Sequence, residues 1–277
     1  MDALSVAALA QVRSIAAALI DARRRQVALP LFPEAVPDTL DAAYAIQRCA
    51  IEGWDDAIAG WKVGRLDARL SERYGVDRFI GPVFARDVVH VEDGRTSVFR
   101  LIPDGSGAFE AELVAFASAD QPPHVAAWTR AGAAELVGAI HTGIELAGSP
   151  VTGIGALPTT ASIAAFGNNA GQIVGPLTTL MPGPMLDDVT VTSSVDGSEV
   201  RTAEASALPG GPMAAMAFAL EQLHAFGMPL RKGQFVSTGA VTGVHEVATG
   251  QCWEATFHGH GRLVCRVHAQ DRSDMDV

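Results

Sequence analysis

Glu110 and Glu112 stand one residue apart in the segment Phe109-Glu110-Ala111-Glu112-Leu113-Val114-Ala115-Phe116. On a strand, side chains at i and i+2 share a face, so this spacing sets two carboxylates side by side among apolar neighbours. Two such groups repel, and water or a cation between them relieves the repulsion. A third carboxylate, Glu145, lies in another apolar segment, Gly143-Ile144-Glu145-Leu146-Ala147. Brought together, the three would make a hard-cation site suited to Mg2+ or Mn2+. The competing reading places each glutamate on a solvent-facing strand edge, where most glutamates are found.

Other polar residues stand in apolar or turn-like surroundings. Lys62 lies within Gly60-Trp61-Lys62-Val63-Gly64. Buried beside a metal, its pKa would fall and it could shuttle a proton or pair with a carboxylate; on the surface it would snorkel. Ser237-Thr238-Gly239 follows an apolar segment, and its hydroxyls and free N–H groups could hold a carboxylate or carbonyl oxygen. Gly167-Asn168-Asn169 offers a polar turn, with Asn168 as a candidate substrate contact. His258 and His260, between glycines, read as a surface hairpin more readily than as metal ligands. H-E-x-x-H, P-loop and G-x-S-x-G patterns are absent.

The elements that must position these residues follow from patterning. Residues 4–24 have helical spacing and end in Arg23-Arg24-Arg25, cations that suit a helix C-terminus. The stretch Met1 to Ile20 has no basic start before an apolar block, so an opening helix is expected and not a signal peptide. A second helix is predicted over Thr39 to Gly53, capped by Asp38 or Thr39. Strands are predicted around 57–63, 109–116 and 143–151. A hairpin turning at Asp196-Gly197 is predicted over 189–204, with further strands at 235–239, 253–257 and 262–267. Helices are predicted over Thr129 to Ile140 and Met213 to Phe226, the latter stopped by Gly227 and Pro229. The outline is α+β: a helical region over 1–80 packed on a β-rich core over 81–277, together one structural unit.

Composition narrows the partners. The chain is 48% hydrophobic and 18% charged, which suits a globular protein. A formal net charge of −11 argues against nucleic acid or an anionic membrane surface, since phosphate binding needs clustered Lys and Arg. No uninterrupted apolar run is long enough to cross a bilayer. Cys49, Cys252 and Cys265, an odd number without C-x-x-C, suit reduced thiols in a cytoplasmic protein.

Five segments in order resemble the fumarylacetoacetate hydrolase superfamily, and within it the 2-oxopent-4-enoate hydratase and 4-oxalocrotonate decarboxylase branch. They are Ala43-Tyr44-Ala45-Ile46-Gln47, Gly60-Trp61-Lys62-Val63-Gly64, Phe109-Glu110-Ala111-Glu112-Leu113, Ile144-Glu145-Leu146 and the run from Pro229 to Gly239. The resemblance implies a mixed β-sheet roll with N-terminal and peripheral helices. It implies Glu110, Glu112 and Glu145 as ligands of Mg2+ or Mn2+, and Lys62 as the active-site lysine. The substrate it implies is a small 2-oxo acid from aromatic ring cleavage, and the reaction a hydro-lyase's addition of water to a 2-hydroxy-dienoate. Decarboxylation, acylpyruvate hydrolysis and a weakly active metal-binding paralogue are the alternatives. A homo-oligomer is expected on the same ground. The chain departs from the branch at Ala165 and Phe166, where Asp and Asn are usual, and at Gln234, where Asp is usual. That departure predicts an altered substrate pocket.

Overall fold

Strand β5 (Ser106–Ala117) is organised by the alternation that brought its glutamates to notice. Its odd positions Phe109, Ala111, Leu113 and Ala115 lie in the main apolar core, and its even positions include Glu110 and Glu112. In the computed structural model, which describes residues 6–270, this strand is central to the larger of two sheets.

In chain order the preceding elements are α1 (Val6–Arg24), α2 (Leu40–Gly53), β1 (Ile58–Arg65), α3 (Ala68–Tyr74), β2 (Arg78–Phe84), β3 (Val88–His90) and β4 (Thr96–Leu101). After β5 come α4 (Arg130–Leu136), β6 (Val137–Ser149), α5 (Thr159–Ala164), β7 (Asn169–Leu177), β8 (Thr190–Val195), β9 (Ser198–Glu204) and α6 (Gly211–Ala225). The chain closes with β10 (Phe235–Ser237), β11 (His245–Glu246), β12 (Cys252–Phe257) and β13 (Gly261–Ala269). The main sheet runs β2-β1-β10-β5-β6-β7-β3, with β11 also paired to β5; the second runs β4-β13-β12-β8-β9. Both mix parallel and antiparallel pairs, so the architecture is the expected α+β one. Because β1 lies between β2 and β10, the main sheet draws on residues from both sides of position 80.

The sheets meet through the face of β5 opposite the glutamates. Phe109 stacks on Trp253 of β12 with ring centroids 5.1 Å apart, and Val191, Ala255 and Leu263 of the second sheet join the same core. A second cluster holds Ile15 and Leu19 of α1, Ile46 of α2 and Phe166. The α2 cap is Thr39, whose hydroxyl accepts from the Ala42 N–H at 3.2 Å. Asp196 (φ 50°) and Gly197 (φ 81°) form the predicted β8–β9 turn, with the two positive φ angles that such hairpins require.

One predicted helix is shorter than expected. Thr129 starts α4, accepting from Gly132 N–H at 3.0 Å, but the helix stops at Leu136 and Val137 already opens β6. Pairing with β5 along its length supplies backbone partners from Val137 onward, and this outweighs the weak helical spacing of residues 137–140. The helix predicted from residue 4 is described from Val6, and its first positions lie outside the described residues. Among the described residues, no helix is long and apolar enough to cross a membrane.

Candidate metal centre

Strand register gathers the site. Glu110 of β5 is directly opposite Glu145 of β6, and Glu145 is opposite Gln172 of β7. On the other side, Lys62 of β1 is level with Ser237 of β10, which is level with Val114 of β5. Directly paired residues share a face, so Lys62, Ser237, Glu110, Glu112, Glu145 and Gln172 form one polar band across five strands. This band lies on the face away from the second sheet.

One carboxylate oxygen from each of Glu110, Glu112 and Glu145 lies within 4.8 Å of the others. Glu112 and Glu145 are 0% exposed and Glu110 is 6% exposed, which removes the solvent-edge reading. Among the described residues no other group of three His, Cys, Asp or Glu side chains converges in this way, His258 and His260 included. Lys62 is buried, with Nζ 3.2 Å from Glu145 Oε1 and 5.1 Å from the centroid of Phe79. It does not snorkel. Glu112 Oε2 accepts from the Gly239 N–H at 2.9 Å, and Glu145 Oε1 accepts from Asn169 Nδ2 at 3.1 Å. Glu112 Oε1 and Glu145 Oε2 are buried with no hydrogen-bond partner among the described residues.

The electrostatics are those of an anionic pocket short of positive charge. Burial, then Glu145, pushes the Glu110 carboxyl up to about 7, with Lys62 opposing. Burial, then Glu145 and Glu110, raises Glu112 well above the usual carboxylate range. For Lys62 burial acts downward, but the attraction of Glu145, Glu110 and Glu112 outweighs it and the net shift is upward. In the metal-free site the three nearby carboxylates decide the direction; the lowered lysine is an expectation for the site with a cation in it. Buried charges need partners, and one ammonium does not balance three carboxylates. A divalent cation fits this donor set: the donors are all hard oxygens, and two of them are orphaned.

A cavity of about 520 Å3 opens beside the band, lined by Lys62, Glu110, Asn168, Thr238 and Gly239 among others. Asn168 reaches it by an unusual turn. Phe166, Gly167 and Asn168 all have positive φ (56°, 69° and 60°), and Asn168 Oδ1 is buried and has no partner. Gly167 packs backbone-on-backbone against Gly81 of β2; a Cβ on either would come within 2.7 Å of the other's Cα. Thr238 Oγ1 donates to the Leu113 carbonyl at 2.9 Å and the Gly239 N–H is engaged by Glu112, so both donors already have protein partners. Ser237 is buried in β10 beside Lys62 and lies outside the lining.

Ala165 and Phe166 do not line the cavity. Phe166 turns into the second core cluster, where its ring meets Trp54, Phe84 and the Arg23 guanidinium. The altered pocket expected from this departure is therefore not formed by these side chains. Gln234 reaches away as well, its Nε2 donating to the Ile58 carbonyl at 2.9 Å. Sequence reasoning missed Asn169 and Gln172, and also Arg65, Arg78 and Arg201, which line the cavity. A polar residue in an apolar strand, the signal that marked Lys62, would have found Gln172; nothing local marks the arginines.

No protein-family model matches the chain. Among solved structures, it is similar to 4-oxalocrotonate decarboxylase from Pseudomonas putida G7 complexed with magnesium and adipate (TM-score 0.77, 21% identity, 96% of this chain and 99% of that chain covered). It is also similar to fumarylpyruvate hydrolase from Pseudomonas aeruginosa in complex with Mn2+ and pyruvate (TM-score 0.54, 22% identity, 79% and 94% covered). A third is 2-hydroxyhepta-2,4-diene-1,7-dioate isomerase from Mycobacterium marinum (TM-score 0.54, 18% identity, 78% and 77% covered). With its two mixed sheets, peripheral helices and full-length superposition, the chain has the fold of the fumarylacetoacetate hydrolase superfamily.

Proposed function

We propose that this protein is a divalent-metal-dependent lyase acting on a small 2-oxo acid, with addition of water to a 2-hydroxy-dienoate as its reaction. The observation that carries the reading is the buried, converging trio Glu110, Glu112 and Glu145 beside Lys62, opening on one cavity. Mg2+ or Mn2+ held by the three carboxylates would draw electron density from the carboxylate and 2-oxygen of the acid and favour its enolate. Lys62, in the cavity wall, is the group placed to hold or deliver a proton at Nζ. Asn168, which lines the cavity and whose buried Oδ1 has no protein partner, would orient the substrate. Glu145 is steadied by Asn169 and Lys62, and Glu112 by the Gly239 N–H.

A second reading, decarboxylation of a 2-oxo dicarboxylate, is favoured by Arg65, Arg78 and Arg201 in the same cavity. Guanidinium groups pair well with carboxylates, and a substrate with an acid group at each end would use both the cation and an arginine. The similarity to a decarboxylase complexed with adipate points the same way.

The test is to mix purified protein and Mg2+ or Mn2+ with 2-hydroxypenta-2,4-dienoate, and separately with a 2-oxo-hexenedioate, and identify products by mass. Metal-dependent gain of one water by the dienoate is the expected result. Loss of CO2 from the dicarboxylate without hydration selects the second reading. Inertness toward both overturns the lyase assignment.

A further inference from the structure

The polar band ends on β7 in Gln172, a residue the proposed chemistry leaves without a task. Gln172 is the register partner of Glu145 and is 0% exposed. Its Nε2 lies 3.4 Å from the Ile173 carbonyl, beyond good hydrogen-bond length, and its Oε1 has no partner among the described residues. A buried carboxamide in this state calls for an explanation. The neighbouring strand supplies one. Gly143 of β6 is the register partner of Glu112, and a Cβ on it would fall 2.9 Å from Gln172 Nε2. The Gln172 head therefore leans across β6 into the space that Gly143 leaves, level in register with Glu112 and facing the Val114 side chain. Glu112 Oε1 and Glu145 Oε2, on the same face, are themselves without partners.

We infer that Gln172 is a positioning residue of the metal centre, its carboxamide completing the surroundings of Glu112 and Glu145 once a cation is held there. An amide supplies both halves of that task. Its N–H groups donate to ligand carboxylates, and its oxygen accepts from water in the cation's shell. It does so without adding a fourth negative charge to a site that already holds three. Groups around metal ligands orient them, and their loss typically weakens metal binding 10–100-fold.

The inference rests on the reading of the three glutamates as a cation site, and the test separates the two. Mn2+ binding is measured by titration calorimetry, and the bound ion by electron paramagnetic resonance, for the parent, Gln172→Leu, Gln172→Met and Gln172→Asn. Thermal unfolding without metal reports folding. The expected result is a roughly 10–100-fold weaker Mn2+ affinity in the Leu and Met variants, with an altered Mn2+ spectrum at saturation and an unfolding midpoint no lower than the parent's. Gln172→Asn, which keeps the carboxamide one methylene shorter, should recover part of the affinity and of the parent spectrum. Parent-like affinity and spectrum in a folded Leu or Met variant overturns the role of Gln172 alone. Equal loss in all three variants makes Gln172 a packing residue and also overturns it. A parent that takes up no Mn2+ overturns the metal centre and this inference with it.

Discussion

At the scale of single residues, three buried carboxylates govern how the site should respond to pH and mutation. Burial and Glu145 raise Glu110 from 4.5 to about 7. The folded metal-free protein therefore holds this proton more tightly than the unfolded chain does. The resulting stability is fully present below about pH 4.5 and is lost as pH rises through about 7. Cation uptake must expel the protons held by Glu110 and Glu112, so metal affinity should climb as pH rises through about 7. Calorimetry at about pH 6 in buffers of different ionisation enthalpy should register the release; buffer-independent heats would contradict it. Lys62→Ala should lower turnover by roughly 100-fold or more, the scale of general acid–base catalysis, while Mn2+ binding persists; unchanged kcat would remove Lys62 from the chemistry. Glu110 and Glu112 were legible in the sequence because a strand's period of two needs no tertiary knowledge. Gln172 carried the same local signal as Lys62, a polar residue in an apolar strand, but its place beside Glu145, like the Asn169 contact to that carboxylate, was set only by the fold.

At the scale of elements, the left-handed turn over Phe166 to Asn168 is the joint that carries Asn168 to the cavity. It depends on the close approach of Gly167 to Gly81. Gly81→Ala should force these backbones apart, cost about 1–3 kcal/mol as overpacking does, and raise KM more than it lowers metal affinity. Denaturant unfolding and steady-state kinetics would check both. Phe166 holds the same turn from behind: its ring sits 5.2 Å from the Arg23 guanidinium, which itself donates to the Asn169 carbonyl at 2.7 Å. Positive φ is unfavourable for a Phe and tolerable for an Asn, so core packing must hold the ring in place. Phe166→Asn should therefore lower stability, by up to the roughly 3 kcal/mol typical of a lost buried aromatic, measured by the same unfolding experiment. A stabilised variant would mean that strain outweighs packing. The start of β6 shows the limit of local patterning: residues 137–140 suit a helix, and only the presence of β5 alongside makes them strand.

At the scale of the whole molecule, metal binding would be coupled to folding, because the proposed ligands come from two strands of one sheet and the lysine from a third. A ligand that binds only the folded state stabilises it by mass action, about 2.7 kcal/mol at 100 times its Kd. Mn2+ should therefore raise Tm in a concentration-dependent way, and Glu145→Ala should abolish the rise; equal shifts in variant and parent would sink the ligand assignment. The charge distribution matters at this scale as well. A chain of net charge −11 nonetheless places Arg65, Arg78 and Arg201 on the cavity that opens at its carboxylates. Their sequence positions are widely scattered, and folding alone brings them to one opening.

The sequence by itself determined what is periodic or local: the α+β class, the two-residue spacing of Glu110 and Glu112, the start of α2 to within the choice of Asp38 or Thr39, and the Asp196-Gly197 turn. Each depends on neighbours a few positions away, where backbone geometry fixes which side chains share a face. Tertiary structure alone decided the pairing of Glu110 with Glu145, the contact of Lys62 with Glu145, the upward shift of Lys62 and the turning of Phe166 into the core. Those outcomes depend on strand register, burial and field, which arise between segments far apart in the chain and leave no mark on either segment alone.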